Sequence, residues 1–119
     1  MVPEGLAGLV DEFGIVVAIV ASVDDGAVVM IGQSTALEYD DLVEQLFGDA
    51  GRVAELNRSL EGQILPQMWS QGSVSCVVCK PDPHSIVGFI YHETRSVVEQ
   101  YRWSKAVNER VEALWGQPT

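Results

Sequence analysis

Between Ile15 and Val23 the chain is almost wholly β-branched or small: Ile15, Val16, Val17, Ile19, Val20 and Val23 are joined only by alanines and a serine. Two substituents on Cβ crowd a helical backbone and suit a pleated one, so this run predicts a strand. Successive strand side chains point to opposite faces. The run is apolar on both, so both faces must be covered and the strand belongs inside a sheet. Asp24-Asp25-Gly26 follows, then a second apolar run, Ala27–Gly32. An Asp-Gly pair between two apolar runs is a strong hairpin signal. Whatever else the chain does, it must accommodate a hairpin with a doubly covered first strand.

The remaining segments supply the cover. From Pro3 to about Phe13, Leu6, Leu9, Val10 and Phe13 recur at helical spacing, with Pro3 suited to a first helical position, Glu4 to the positive end and Gly14 to the stop. Glu38–Gln63 carries apolar residues at Leu42, Val43, Leu46, Phe47, Ala50, Val53, Ala54, Leu56 and Leu60, mostly on one helical face. Gly48 and Gly51 weaken a continuous helix there. One weakened helix and two helices, the second capped by Asp49, both fit. Glu61-Gly62 closes the segment.

Ile64–Ser70 reads as a strand that Pro66 confines to an edge, and Gly72 as a turn. Ser73–Lys80 and Ile86–Tyr91 are two further strands joined by a rigid turn, Pro81-Asp82-Pro83-His84. Ser96-Val97-Val98-Glu99 has capping-box spacing and opens a helix to Trp115. At about 100° per residue, its Val97, Trp103, Val107, Val111, Leu114 and Trp115 share a sheet-facing arc. The order α-β-β-α-β-β-β-α predicts an α+β fold: five strands in a mainly antiparallel sheet flanked by helices.

At 119 residues, 47% hydrophobic and 20% charged, the chain is expected to form one domain over residues 1–119. Its net charge is −10, unevenly placed. Residues 1–51 hold ten acids and no Lys or Arg, whereas 52–119 are balanced. Nucleic-acid binding needs a basic footprint and is disfavoured, as is an anionic membrane surface. The amino terminus has no basic region, and the apolar run at Ile15–Ala21 is too short to span a bilayer, so a soluble cytoplasmic protein without membrane insertion is expected.

Candidate chemistry is sparse. Cys76 and Cys79 have CxxC spacing, but on a strand that spacing sends the thiols to opposite faces, and two buried structural thiols are expected. His84 and His92 lack a constellation that would make either a catalyst or a metal ligand. Asp24-Asp25-Gly26 lacks the oxygen ligands of a cation loop. Ser34, Ser70, Ser73 and Ser75 have no evident paired base. No P-loop, GxGxxG, nucleophile elbow or HExxH occurs, so no enzyme activity, cofactor or metal is expected. Glu38, Asp40, Asp41 and Glu44 cluster at a helix entry. The helix dipole accounts for such acids, and a face for a basic partner is the alternative reading. Trp69, on a weak strand among polar residues, is either core or an interface anchor.

Taken together, the opening helix, the hairpin with Asp24-Asp25-Gly26, the helix through Arg52–Leu60, the strands Ser73–Lys80 and Ile86–Tyr91 and the helix Ser96–Trp115 form a pattern that resembles the roadblock/LC7 family, including its bacterial MglB type. Phe47–Gly51 and Pro66 depart from that pattern in the central helix and the adjoining strand. The resemblance implies a profilin- and longin-like fold and a homo- or heterodimer built on central helices and paired edge strands. The dimer surface would then hold Leu46, Phe47, Val53, Leu56, Leu60, Ile64, Met68 and Trp69. It also implies regulation of a Ras-like small GTPase, or scaffolding of a signalling complex, with Glu38, Asp40, Asp41 and Glu44 facing the partner. A small-molecule sensory domain of profilin- or PAS-like form is the alternative, and it requires a pocket of about 300 Å³ or more.

Overall fold

A computed structural model describes residues 2–32, 41–71 and 74–116. The elements are α1 (Leu6–Glu12), β1 (Val17–Ser22), β2 (Val28–Gly32), α2 (Asp41–Phe47), α3 (Ala50–Leu60), β3 (Gln67–Gln71), β4 (Val74–Asp82), β5 (Ser85–His92) and α4 (Val97–Gly116). The strands form one sheet in the order β2-β1-β5-β4-β3, and every neighbouring pair is antiparallel. The fold is α+β, as the element order predicts.

The β-branched run is the doubly covered strand its composition demands. Val17, Ile19 and Ala21 face α2 and α3, together with Cys76, Val78, Ile86 and Ile90. Ala18 and Val20 face α1 and α4, together with Val77, Cys79, Val87, Phe89 and Tyr91. All five of these β1 residues are buried. The hairpin turn is built as the Asp-Gly pair suggests. Asp25 Oδ1 accepts the Ala27 N–H at 2.9 Å, and Gly26 takes the left-handed conformation at φ 75°.

Three features differ from the sequence reading, and one that it left open is decided. Helix α1 begins at Leu6 rather than Pro3, because Gly5 offers no side-chain cap, and Glu4 falls before the helix. The central segment is two helices. Asp49 is extended and its Oδ1 accepts the Arg52 N–H at 2.8 Å, so α3 has its own cap. A Cβ on Gly48 would lie 2.4 Å from the Glu44 carbonyl oxygen, and only glycine permits that close approach. Arg52 Nη1 donates to the same carbonyl at 2.8 Å, tying the two helices together. Strand β4 runs through Pro81 to Asp82 by a register shift after Cys79, which leaves only Pro83-His84 as the turn. The Asp82 carboxylate steadies that turn by accepting the His84 N–H at 2.8 Å. Finally, Val97 lies off the sheet, 80% exposed; the fully buried residues of α4 begin only at Ser104. The Gly72 turn and the approach to α2 at Glu38–Asp40 lie outside the described residues.

Ser96 caps α4: its Oγ accepts the Glu99 N–H at 3.3 Å and donates to Glu99 Oε1 at 3.1 Å, so the capping-box pair is bonded through the hydroxyl. Trp103 locks α4 to the rest of the molecule. Its ring meets Tyr91 at 4.3 Å and the edge of Phe13 at 6.1 Å. The Arg95 guanidinium lies 4.4 Å above it.

Candidate functional site

Strand β3 is the feature that most invites a partner. It sits at one edge of the sheet, so one side of its backbone has no strand to pair with among the described residues. Pro66 immediately precedes it, and the edge position is the one proline tolerates. Its side chains alternate. Met68 packs toward the α1/α4 layer and Trp69 toward the α2/α3 layer, each partly buried. Trp69 is therefore part core and part surface. It borders a cleft of about 310 Å³ beside α2 and α3, lined also by Leu46 and Leu56, with Gln45, Arg52, Glu55 and Ser59 as its polar rim.

The residues expected at a dimer surface divide sharply. Leu46, Phe47, Val53, Leu56 and Leu60 are 8% exposed or less and pack on the chain's own sheet. They hold the helices down, and the apolar face of α2–α3 is used inside the molecule. Phe47 shows how closely: a Cβ on Gly88 of β5 would come within 2.7 Å of its ring, so the ring occupies the space a side chain there would need. Ile64 is the opposite case, 88% exposed between α3 and β3. The surface around β3 thus presents Ile64, Met68 and Trp69, with Gln45, Arg52, Glu55 and Ser59 beside them. These four polar rim residues carry no periodic or compositional signal of their own; they flank the apolar stripe, whose Leu46 and Leu56 line the same cleft.

Of the acids expected to face a partner, Glu38 and Asp40 lie outside the described residues, Asp41 begins α2, and Glu44 is exposed on it. Ser34 and Ser73 also lie outside them. The two cysteines are fully buried on opposite faces of β4. Burial pushes the Cys76 thiol up to about 12 and that of Cys79 still further, which makes both poor nucleophiles at neutral pH. His84 Nδ1 lies 3.2 Å from Asp24 in the open. Ser75 is buried and shares a 2.9 Å hydrogen bond with Ser70 across β3–β4. Among the described residues no group of His, Cys, Asp and Glu is placed to hold a metal, and no helix is long and apolar enough to cross a membrane.

No protein-family model and no curated protein matches the sequence. Solved structures do match in shape. Myxococcus xanthus MglB superposes with a TM-score of 0.61 at 13% identity, over 91% of this chain and 89% of that one. The gliding protein MglB of Thermus thermophilus gives 0.57 at 17% identity, over 93% and 85%. A roadblock/LC7 domain of Streptomyces avermitilis gives 0.51 at 16% identity, over 93% and 94%. The chain has the roadblock/LC7 fold. The break at Gly48-Asp49 falls between α2 and α3, and Pro66 falls just before β3, outside the ladder. Both departures seen in the sequence are thus absorbed without changing the topology.

Proposed function

We propose that this protein is a non-catalytic, dimeric regulatory adaptor that binds and modulates a Ras-like small GTPase or scaffolds a signalling complex. The observation that carries the reading is the unpaired β3 edge with Trp69 and Ile64 beside it, in a fold shared with MglB structures, one of them described in a tetrameric arrangement. Two copies joined at β3 would extend one sheet through both chains and cover Ile64 and Trp69. The apolar residues under α2 and α3 contribute by keeping that surface rigid, and the contact itself falls to Ile64, Met68, Trp69 and the rim at Gln45, Arg52, Glu55 and Ser59.

The test has two parts. Light scattering of the purified chain should give the mass of a dimer at micromolar concentration. The substitution Trp69→Asp places a charge at the contact and should weaken that dimer at least tenfold while leaving the far-UV circular dichroism unchanged; undiminished association would remove Trp69 from the interface. Pull-down of Ras-like GTPases with the bound nucleotide varied then tests the partner, and Glu44→Lys should reduce capture if the acidic entry of α2 faces it.

The sensory-domain reading needs an enclosed site. The clefts on this surface, about 360 and 310 Å³, reach the required size. Their rims are exposed side chains, Asp24, Asp25, Val29 and His84 at one and Arg52, Glu55 and Ser59 at the other. Clefts of that kind suit a protein surface or a peptide better than a sequestered small molecule.

A further inference from the structure

The opposite edge of the sheet ends in β2. Val28–Gly32 contains no charge and no proline. Val29 and Met30 are 51% and 46% exposed. Short polar strands, lysines and prolines normally blunt such an edge. The hydrogen-bond register shows which groups are open. Ser22 N–H donates to the Ala27 carbonyl at 2.8 Å. Hydrogen-bonded pairs alternate along an antiparallel ladder, so Val20 with Val29 and Ala18 with Ile31 bond each other. Val28, Met30 and Gly32 therefore turn their N–H and C=O groups outward, and no strand among the described residues takes them.

A cleft of about 360 Å³ adjoins this edge on the α1 side of the sheet. Val2, Val20 and Val29 give it an apolar floor, and Asp24, Asp25 and His84 stand at its mouth. Asp25 is held in its charged form by the Ala27 N–H and the Ser22 hydroxyl. Asp24 has the imidazole of His84 beside it, at 3.2 Å. Residues 1–51 hold ten acids and no Lys or Arg; Arg110 and Arg52 pair with Glu12 and Asp49, and neither reaches Asp24 or Asp25.

We propose that the β2 edge accepts an extended, basic segment of a partner protein by strand addition. The segment's main chain pairs with Val28, Met30 and Gly32. The partner side chain opposite Val29 falls on the same face of the sheet as Val29, and there a Lys or Arg lays its methylene stem on the valine floor and its charge between Asp24 and Asp25. Backbone pairing supplies affinity and the acidic cleft supplies the preference for a cation. This site is independent of the β3 surface, and a dimer joined at β3 would carry one at each outer end of its continuous sheet.

The experiment is an amide-resolved NMR titration of the full chain with a blocked peptide that alternates valine and lysine, and with its glutamate counterpart. The lysine peptide should shift Val28, Met30, Gly32, Asp24 and Asp25, and slow amide exchange at Val28, Met30 and Gly32. The glutamate peptide should bind at least tenfold more weakly. Met30→Pro removes an outward N–H at an edge position that tolerates proline and should abolish binding with the near-UV spectrum retained. The double substitution Asp24→Asn, Asp25→Asn keeps the backbone edge intact and should erase the lysine preference, even if Met30→Pro proves unstable. Shifts confined to β3, equal binding of both peptides, or no binding of either at millimolar concentration would each overturn the proposal.

Discussion

Single residues in this molecule matter mainly through what they exclude. Gly88 is the clearest case, because Phe47 occupies the space a side chain would need. Gly88→Ala should therefore cost about 1–3 kcal/mol by overpacking, read from urea unfolding. Phe47→Leu in the same chain should recover part of that loss, a coupling that a double-mutant cycle measures. The buried thiols make a second prediction. An unfolded cysteine ionises near pH 8.5, whereas the folded protein holds Cys76 neutral up to about 12. Between those values the unfolded state releases protons that the native state retains, so stability falls as pH rises. Melting temperature should decline from about pH 9 to 12. The pair Cys76→Ala, Cys79→Ala should be less stable at neutral pH but show a flatter decline. An equally steep decline would move the cause to other groups, Tyr91 first, since burial raises its phenol too.

At the scale of elements, the junction between α2 and α3 is the place where local chemistry sets geometry. Asp49 caps α3, and Arg52 returns a hydrogen bond to the last turn of α2. Asp49→Ala should cost about 1 kcal/mol, as cap removal commonly does, whereas Asp49→Ser should keep most of the stability. Urea midpoints for the two variants distinguish lost capping from lost charge. The junction also explains an error of reading. Helical periodicity correctly picked out Leu46, Phe47, Val53, Leu56 and Leu60 as one apolar stripe, but a stripe identifies a buried face without naming what buries it. Here the chain's own sheet does. By contrast, the hairpin turn, the serine cap of α4 and the edge position of β3 were legible, because each is dictated by a few adjacent residues.

The whole molecule carries its acidity as a lopsided field: −10 in total, with all of the excess in residues 1–51. Two copies brought together repel, and salt screens that repulsion over about 10 Å at 0.1 M. Association through Ile64 and Trp69 should therefore strengthen as sodium chloride rises from low to moderate concentration, a trend that sedimentation velocity can follow. Binding of a cationic partner should weaken over the same range. Opposite slopes for self-association and partner capture would separate the apolar contact from the electrostatic one. The two sheet edges belong to this scale as well. Both β2 and β3 are open among the described residues, but only β3 has a tryptophan beside it and only β2 has an acidic cleft.

The sequence by itself determined the strand that must be doubly covered, the turn that follows it, the cap that starts α4, and the burial of two thiols on opposite faces. Each of these depends on backbone preference or side-chain alternation over a handful of neighbouring residues. Only the tertiary structure decided which apolar residues stay at the surface. Val97 was expected on the sheet and lies 80% exposed, and Ile64 and Val29 are exposed too, while most of the helical stripe is buried. Exposure depends on where the sheet ends and which element lies above it, and pairing order between distant strands is set by packing of the whole chain, which no local pattern encodes.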